Sequence, residues 1–258
     1  GFELLRTTLR EQPDAEDVAD SLAELALVGG WSDEFAASLA EIARREGLDE
    51  AVRVRLARRA AAVYDERLDD PAAAEPFHRM VIDAGGLDAH AFGALRRLYQ
   101  DRQRWDDLRA LYALWVERCP EVSGQIELLL EEAMLLEEIL DLPAEAATVY
   151  GRVLSLDAAN RGAARALDRL LVRLGRWTEL EALLCRRIEL GAEADEDARE
   201  LLFRRGEVRE RQLGSGEGAL ADYTAVVRQE ASHPGACSGL ERLLAVPALR
   251  AEAGAVLE

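Results

Sequence analysis

Residues 171–184 read LVRLGRWTELEALL, and this stretch decides the fold. A similar phrase stands earlier at 98–112, LYQDRQRWDDLRALY, and a weaker one at 27–40, LVGGWSDEFAASLA. Their tryptophans, Trp31, Trp105 and Trp177, are separated by 74 and 72 residues. Self-similarity at a nearly constant spacing is typical of repeat proteins, in which one structural unit is stacked many times.

A second phrase recurs between the tryptophans. It reads PAAAEPFHRMVIDAGGLDAHAFGALRRLY at 71–99, PAEAATVYGRVLSLDAANRGAARALDRLL at 143–171 and GEGALADYTAVVRQEASHPGACSGLERLL at 216–244. The first two are offset by 72 residues and the last two by 73. The long repeat is therefore about 72 residues and is predicted to hold two helix pairs.

Apolar residues in each segment recur with the period of a helix that is buried on one face. The pattern is clearest in Leu167, Leu170, Leu171 and Leu174, and again in Leu180, Leu183, Leu184 and Ile188. Prolines are predicted to begin helices, because a first helical residue needs no N–H donor, and glycines are predicted to end them. These positions are Pro71, Pro143 and Pro234, and Gly29, Gly175 and Gly214.

Half of the long repeat is close to 34 residues, and the pattern resembles the tetratricopeptide repeat. Residues 161–194 resemble it best, through Leu167, Leu171, Gly175, Trp177 and Leu184, whereas Asp168 stands where the family usually has glycine. The chain is similar to a divergent bacterial member of this family. The predicted helix pairs are 15–48, 55–88, 89–122, 127–160, 161–194 and 200–233, with partial repeats at both ends.

The resemblance implies an all-α fold, a right-handed α-solenoid of stacked antiparallel hairpins that forms a single domain over residues 1–258. Each hairpin has an apolar face that it cannot bury alone, and the next hairpin covers it. We expect each repeated tryptophan to begin a second helix and to fill the wedge between neighbouring hairpins.

Composition agrees with this fold class and limits the partners. Of the 258 residues 49% are hydrophobic and only 5% aromatic, and all 32 basic residues are arginine. Leu, Ala, Glu and Arg are strong helix formers, and the arginine bias is typical of a GC-rich bacterial genome. The net charge of −18 repels phosphate backbones, so we expect no nucleic-acid binding.

The apolar runs are short, so we expect no membrane insertion. No signal peptide is visible, which favours the cytoplasm but leaves the compartment open. The chain opens and ends inside apparent helices, and we expect a fragment of a longer protein. Homo-oligomerisation through such truncated ends stays open, because they would expose unpaired apolar faces.

No catalytic or metal-binding constellation stands out, and we expect no enzyme activity, metal or cofactor. His78 replaces Tyr150 and Tyr223 in the repeat and is expected to pack inside, while His90 and His233 precede helices. The three cysteines are far apart, and the phrase 214-GSGEG-218 lacks the lysine of a phosphate-binding loop.

One charge pattern points to a partner. Arg161, Arg165, Arg169 and Arg173 recur every four residues and form one stripe, whereas the helix before them carries several glutamates. The resemblance implies that first helices line a concave groove. The stripe is then either an ion-pair ladder between repeats or a clamp for an acidic peptide or its terminal carboxylate. The predicted partner-binding residues are Arg165, Arg169 and Arg173, extended by Arg59, Arg97 and Arg204.

The predicted function is that of a non-catalytic interaction module that binds a peptide or helix of a partner protein in this groove. The alternative is a structural spacer within a larger repeat protein, with no ligand of its own. A third hypothesis is that an enzyme domain lies outside this segment.

Overall fold

The structure is a computed structural model that describes residues 1–191 and 198–258. All regular elements in these ranges are helices, so the predicted all-α fold is confirmed. The chain divides into two compact units, Gly1–Gln125 and Ile126–Glu258. A single continuous domain over 1–258, and its handedness, stay predictions.

Seven helices form the described part of the first unit. They are α1 Phe2–Glu11, α2 Glu16–Gly29, α3 Ser32–Ala43, α4 Glu50–Glu66, α5 Pro71–Asp83, α6 Ala89–Asp101 and α7 Trp105–Arg118. Consecutive helices are joined by short turns and pack on one another, as antiparallel hairpins do.

The boundary between the units falls within α8, Val122–Met134, which a π-helical turn continues over Leu135–Ile139. The described part of the second unit continues with α9 Pro143–Leu156, α10 Arg161–Leu174, α11 Trp177–Glu189, α12 Ala198–Arg211, α13 Gly216–Gln229, α14 Pro234–Leu243 and α15 Arg250–Leu257. No helix in the ranges that the structure describes is both long enough and apolar enough to cross a membrane.

The helices correspond to the six predicted pairs, each with a first and a second helix: α2–α3, α4–α5, α6–α7, α8–α9, α10–α11 and α12–α13. α1 precedes them, and α14 and α15 follow. The boundaries shift at three places, because α4 begins at Glu50, α8 at Val122 and α12 at Ala198, each before the predicted start. Residues 192–194, the end of the predicted pair 161–194, lie outside the described residues.

The predicted apolar faces are buried. Leu170, Leu171, Leu180 and Leu184 are at most 1% exposed. Burial of a leucine side chain contributes roughly 1.5–3 kcal/mol, so these faces are the main source of stability of each hairpin.

A left-handed backbone residue closes the turn between first and second helices in every long repeat. Gly30, Gln103 and Gly175 hold one such position, with φ of 72°, 53° and 66°. Asp69, Asp141 and Gly214 hold the other, with φ of 50°, 50° and 66°. The predicted glycine ends are therefore correct for Gly175 and Gly214, whereas at the first turn the left-handed residue is Gly30 rather than Gly29.

Prolines and capping side chains explain where many of the helices begin. Pro71, Pro143 and Pro234 are first helical residues, as predicted. Side chains of the residues that precede five helices, two of these proline-started helices among them, accept a backbone N–H, which satisfies an otherwise orphan donor. These capping residues are Asp49, Asp70, Asp88, Asn160 and His233.

The repeated tryptophans are less buried than predicted. Trp105 and Trp177 begin second helices but are half-buried, and Trp31 is 42% exposed. The Trp31 ring lies instead against Gly29, where an added Cβ would come within 2.4 Å of ring carbons. Gly29 is needed here because only a residue without a Cβ leaves room for the Trp31 ring.

Candidate partner-binding site

A carboxylate at the end of a first helix joins three helices in the second unit. Glu137, in the π-helical turn after α8, accepts a hydrogen bond from the Tyr150 hydroxyl of α9 at 3.3 Å. It also accepts one from the Arg169 guanidinium of α10 at 2.8 Å. Burial, and then the neighbouring Glu137 carboxylate, raise the pKa of Tyr150 to about 12, so this hydroxyl stays protonated and donates.

The same arrangement returns 73 residues later. Glu210 of α12 accepts from the Tyr223 hydroxyl of α13 at 2.7 Å, and Arg242 of α14 donates to it through two nitrogens at 2.7 Å each. Burial would raise the pKa of Glu210, but the hydrogen bonds from Arg242 and Tyr223 outweigh it and hold the pKa below its ordinary value. This repeated contact among a carboxylate, a tyrosine and an arginine holds successive repeats together by hydrogen bonds.

The first repeat has a variant of this contact. Asp65 and His78 stand where the later repeats have glutamate and tyrosine, and the Asp65 carboxylate lies 2.6 Å from Nε2 of His78. His78 is buried, as predicted, and its ring centroid is 5.7 Å from that of His90, which lies in the first turn of α6. Arg97, at the position of Arg169, donates to the carbonyl of Gly93 on its own helix at 3.3 Å.

The arginine stripe of α10 lies on one helix face. Arg169 bonds Glu137, and Arg173 bonds Asp141 in the preceding turn at 2.8 Å. Arg165 lies on the same face one turn earlier and is exposed. The guanidinium-bearing side chains of Arg169 and Arg173 remain 65% and 53% exposed, so both guanidiniums are open to solvent.

Arg59 and Arg204 occupy equivalent positions on the first helices α4 and α12, 145 residues apart. Arg59 bonds Asp20 of α2 at 2.6 Å, and Arg204 bonds Asp168 of α10 at 2.5 Å. Each arginine therefore contacts a carboxylate on the first helix of the preceding repeat. Ladders of this kind join α2 to α4, α8 to α10, α10 to α12 and α12 to α14.

Sequence reasoning missed the buried charges of the second unit. The side chain of Asp168 is 5% exposed, and its second oxygen accepts from Arg187 of α11 at 3.2 Å. Two guanidiniums thus satisfy one buried carboxylate, as burial of a charge requires. The departure of Asp168 from the family pattern was the available sign, because a charged residue amid buried leucines needs a partner.

Asp222 of α13 forms the second buried centre. Its side chain is 3% exposed and bonds Arg205 at 2.5 Å and Arg209 at 3.0 Å, both from α12. Arg209 also bonds Glu181 of α11 at 2.6 Å, and Arg205 donates to the Cys185 thiol at 3.3 Å. These contacts join three helices, and nothing in the spacing of the sequence reveals them.

Arg169 and Arg173 present partly exposed guanidiniums, a group that can hydrogen-bond carboxylates. Among the residues described, no group of three or more His, Cys, Asp or Glu side chains could hold a metal ion. His233 is engaged as a helix cap, where its Nδ1 accepts from the Ala236 N–H at 3.2 Å.

No protein-family model matches this sequence, and no curated protein is significantly similar to it. Among solved structures, a tetratricopeptide repeat protein from Parabacteroides merdae is 15% identical with a TM-score of 0.35, over 94% of this chain and 91% of its own. YrrB, described as a TPR protein with an unusual peptide-binding site, is 14% identical with a TM-score of 0.35, over 80% of this chain and 99% of its own. A thermophilic TPR protein from Thermus thermophilus is 16% identical with a TM-score of 0.31, over 83% of this chain and 97% of its own.

The assignment of the fold rests on the hairpins themselves. Their period, their left-handed turn residues and their buried faces make this chain similar to tetratricopeptide-repeat proteins in fold.

Proposed function

We propose that this chain is a non-catalytic protein–protein interaction module, and that arginines of its first helices bind a peptide or helix of a partner in a concave groove. Their planar guanidiniums bind carboxylates through two parallel hydrogen bonds, which suits an acidic partner. The residues are Arg59, Arg97, Arg165, Arg169, Arg173 and Arg204.

The observation that carries the proposal is the exposure of the α10 stripe. Arg169 and Arg173 are paired, but their side chains are more than half exposed. Exposed ion pairs of this kind contribute only about 0–1 kcal/mol. A ligand carboxylate can therefore replace Glu137 or Asp141 at small cost.

The spacing of the stripe supports an extended ligand. Arg165, Arg169 and Arg173 recur every four residues, about 6.0 Å, along one face of α10. A strand-like segment advances about 3.3 Å per residue, so alternate side chains of such a segment advance by about 6.6 Å. Acidic residues two positions apart would match this row approximately.

The alternative function is a spacer without a ligand. The observation that favours it is the ladder itself, because Arg59, Arg169, Arg173 and Arg204 already have carboxylates within the chain. In that function the arginines hold successive repeats together. Removal of their charge would change the free energy of unfolding and would leave the set of captured proteins unchanged.

The test is partner capture with a matched control. The immobilised wild-type chain and the triple variant Arg165→Gln, Arg169→Gln, Arg173→Gln are exposed to lysate of the source organism, and bound proteins are identified by mass spectrometry. The control changes three exposed arginines of second helices in the same unit, Arg152→Gln, Arg186→Gln and Arg228→Gln. Both variants lose the same charge, and circular dichroism checks that both fold.

A partner held by wild type and by the control, and lost by the stripe variant, supports the proposal. Calorimetry with the purified partner should then show at least a tenfold weaker affinity for the stripe variant. If all three proteins retain the same set, or none retains anything specific, the groove proposal fails and the spacer function takes its place.

A further inference from the structure

A small cleft opens between α2, α3 and α4 in the first unit. Its volume is about 180 Å³, and apolar side chains line it: Ala23 of α2, Phe35 of α3, and Ala62 and Val63 of α4. Arg59 of α4 lines the same cleft. Ligand sites for whole small molecules are typically about 300–1,000 Å³, so this cleft has the size for one side chain.

The second unit contains the equivalent junction, where a carboxylate of the chain itself contacts the arginine. The turn residues Gly30 and Gly175 are 145 residues apart, and the same offset relates Ala23 to Asp168 and Arg59 to Arg204. Asp168 carries its carboxylate to the Arg204 guanidinium at 2.5 Å. At the first junction Ala23 supplies a methyl group instead, and the intermediate repeat has Leu95 at this position, so Asp168 is the one carboxylate among the three.

Two other charged residues of the second junction also have apolar counterparts in the first junction. Arg187, the second partner of Asp168, corresponds to the buried Ile42 of α3, and Glu207 corresponds to Ala62. At the first junction Arg59 therefore lies beside the apolar side chains of Ala23 and Ala62.

The carboxylate that Arg59 bonds lies about one helical turn from Ala23 on α2. Arg59 bonds Asp20, whose side chain is 64% exposed. An exposed pair contributes little, so a carboxylate that enters the cleft competes with Asp20 on favourable terms. The neighbouring charges of Glu66 and Arg67, which also line the cleft, are of opposite sign.

We propose that the cleft between α2 and α4 binds an aspartate side chain of a partner segment, together with an adjacent aliphatic side chain. The aspartate takes the place that Asp168 holds in the later repeat and bonds Arg59, and the aliphatic group covers Ala23, Ala62 and Phe35. This inference rests on the proposed interaction function and names a specificity subsite for it.

The experiment is a titration of the full chain, followed by the backbone amide resonances in NMR spectra. The probe is N-acetyl-Leu-Asp-amide at millimolar concentration. Three related probes separate the contributions: N-acetyl-Leu-Asn-amide lacks the charge, N-acetyl-Gly-Asp-amide lacks the aliphatic side chain, and N-acetyl-leucine carries a terminal carboxylate.

The variant Ala23→Asp supplies such a carboxylate from the chain itself. The matched control is Ser21→Asp, which adds the same charge at an exposed position of the same helix. Arg59→Gln is a second variant that removes the cation without adding bulk.

We expect N-acetyl-Leu-Asp-amide to shift the resonances of Ala23, Arg59 and Ala62, with at least tenfold weaker binding to Ala23→Asp and at least fivefold weaker binding to Arg59→Gln. Ser21→Asp should bind as wild type does, and both the asparagine and the glycine probes should bind more weakly.

The proposal is overturned if the probe shifts none of these resonances, or if it binds Ala23→Asp and Ser21→Asp equally. Tighter binding of N-acetyl-leucine would assign the cleft to a chain terminus and overturn the choice of an aspartate. A partner captured through the α10 stripe that binds Ala23→Asp unchanged would leave the proposed function standing and refute the subsite alone.

Discussion

The Arg169 guanidinium donates to the Glu137 carboxylate at 2.8 Å, across 32 residues of chain. The same carboxylate accepts from Tyr150, so one acid holds a cation of the next repeat and a hydroxyl of its own. The glutamate side chain is 16% exposed and the arginine 65% exposed. The two residues therefore differ: the glutamate is a nearly buried acceptor of two hydrogen bonds, whereas the arginine is mostly exposed.

The first prediction follows from this asymmetry. Arg169→Gln should lower the free energy of unfolding by less than about 1 kcal/mol, because its guanidinium is open to solvent. Glu137→Gln should cost more, roughly 1.5–3 kcal/mol, because it weakens charge-assisted hydrogen bonds to two partners. Urea unfolding of both single variants and of the double variant gives the coupling between them. A coupling well above about 1 kcal/mol would mean that the arginine is held too strongly to exchange.

The second prediction concerns the turn residues with positive φ. Gln103 has a φ of 53°, a conformation that costs a residue with a Cβ roughly 1–2 kcal/mol. Gln103→Gly should therefore raise the free energy of unfolding by about 1 kcal/mol. Gln100→Gly, three residues earlier within α6, should lower it by roughly 0.5–1 kcal/mol, because glycine is unfavourable inside a helix. Denaturant midpoints that move in the same direction for both variants would contradict the assignment of this turn.

The third prediction concerns the buried carboxylate of Asp222. Asp222→Asn should destabilise the chain by about 3–5 kcal/mol, because it leaves Arg205 and Arg209 in a buried place without the charge that compensates them. Glu230→Gln is the control, since the Glu230–Arg199 pair has both side chains more than a third exposed and should cost under about 1 kcal/mol. Equal losses in chemical unfolding would show that burial does not distinguish the two pairs.

The fourth prediction is a pH dependence at Glu210. Its pKa in the folded chain lies below the ordinary value of 4.5, so folding favours the ionised carboxylate. Its contribution to stability is complete above that ordinary value and is lost as the pH falls through the lower folded pKa. The difference in unfolding free energy between wild type and Glu210→Gln should be largest at neutral pH and should shrink in acid below 4.5. A difference that grows as the pH falls has the wrong sign for this mechanism.

The fifth prediction concerns the packing of Tyr223. An added Cβ at Gly239 would stand 2.5 Å from the Tyr223 ring, closer than two carbon atoms can approach. Gly239→Ala should therefore lower the free energy of unfolding by about 1–3 kcal/mol through overpacking. Gly151→Ala, inside α9 with open space around the position, should instead raise it by up to about 1 kcal/mol. Thermal unfolding of the two variants should shift in opposite directions.

Much of the fold was predictable from local patterns in the sequence. The apolar faces of α10 and α11 and the prolines that begin α5, α9 and α14 were predictable, because helix periodicity and the missing proline N–H act over a few residues. The arginine stripe was predictable for the same reason, since residues four apart share a helix face. Its role in partner binding stays a prediction.

The sequence by itself thus determined the helical class, the repeat of about 72 residues and the positions that needed glycine or proline. Only the packing of the helices shows which of the many acids pairs with which arginine, that Asp168 and Asp222 are buried, and that Ala23 and Arg59 line a cleft. The physical reason is range: periodicity is set by one helix, whereas ion pairs and clefts depend on the approach of different helices, and the partners of Asp168 and Asp222 lie 13 to 36 positions away in the chain.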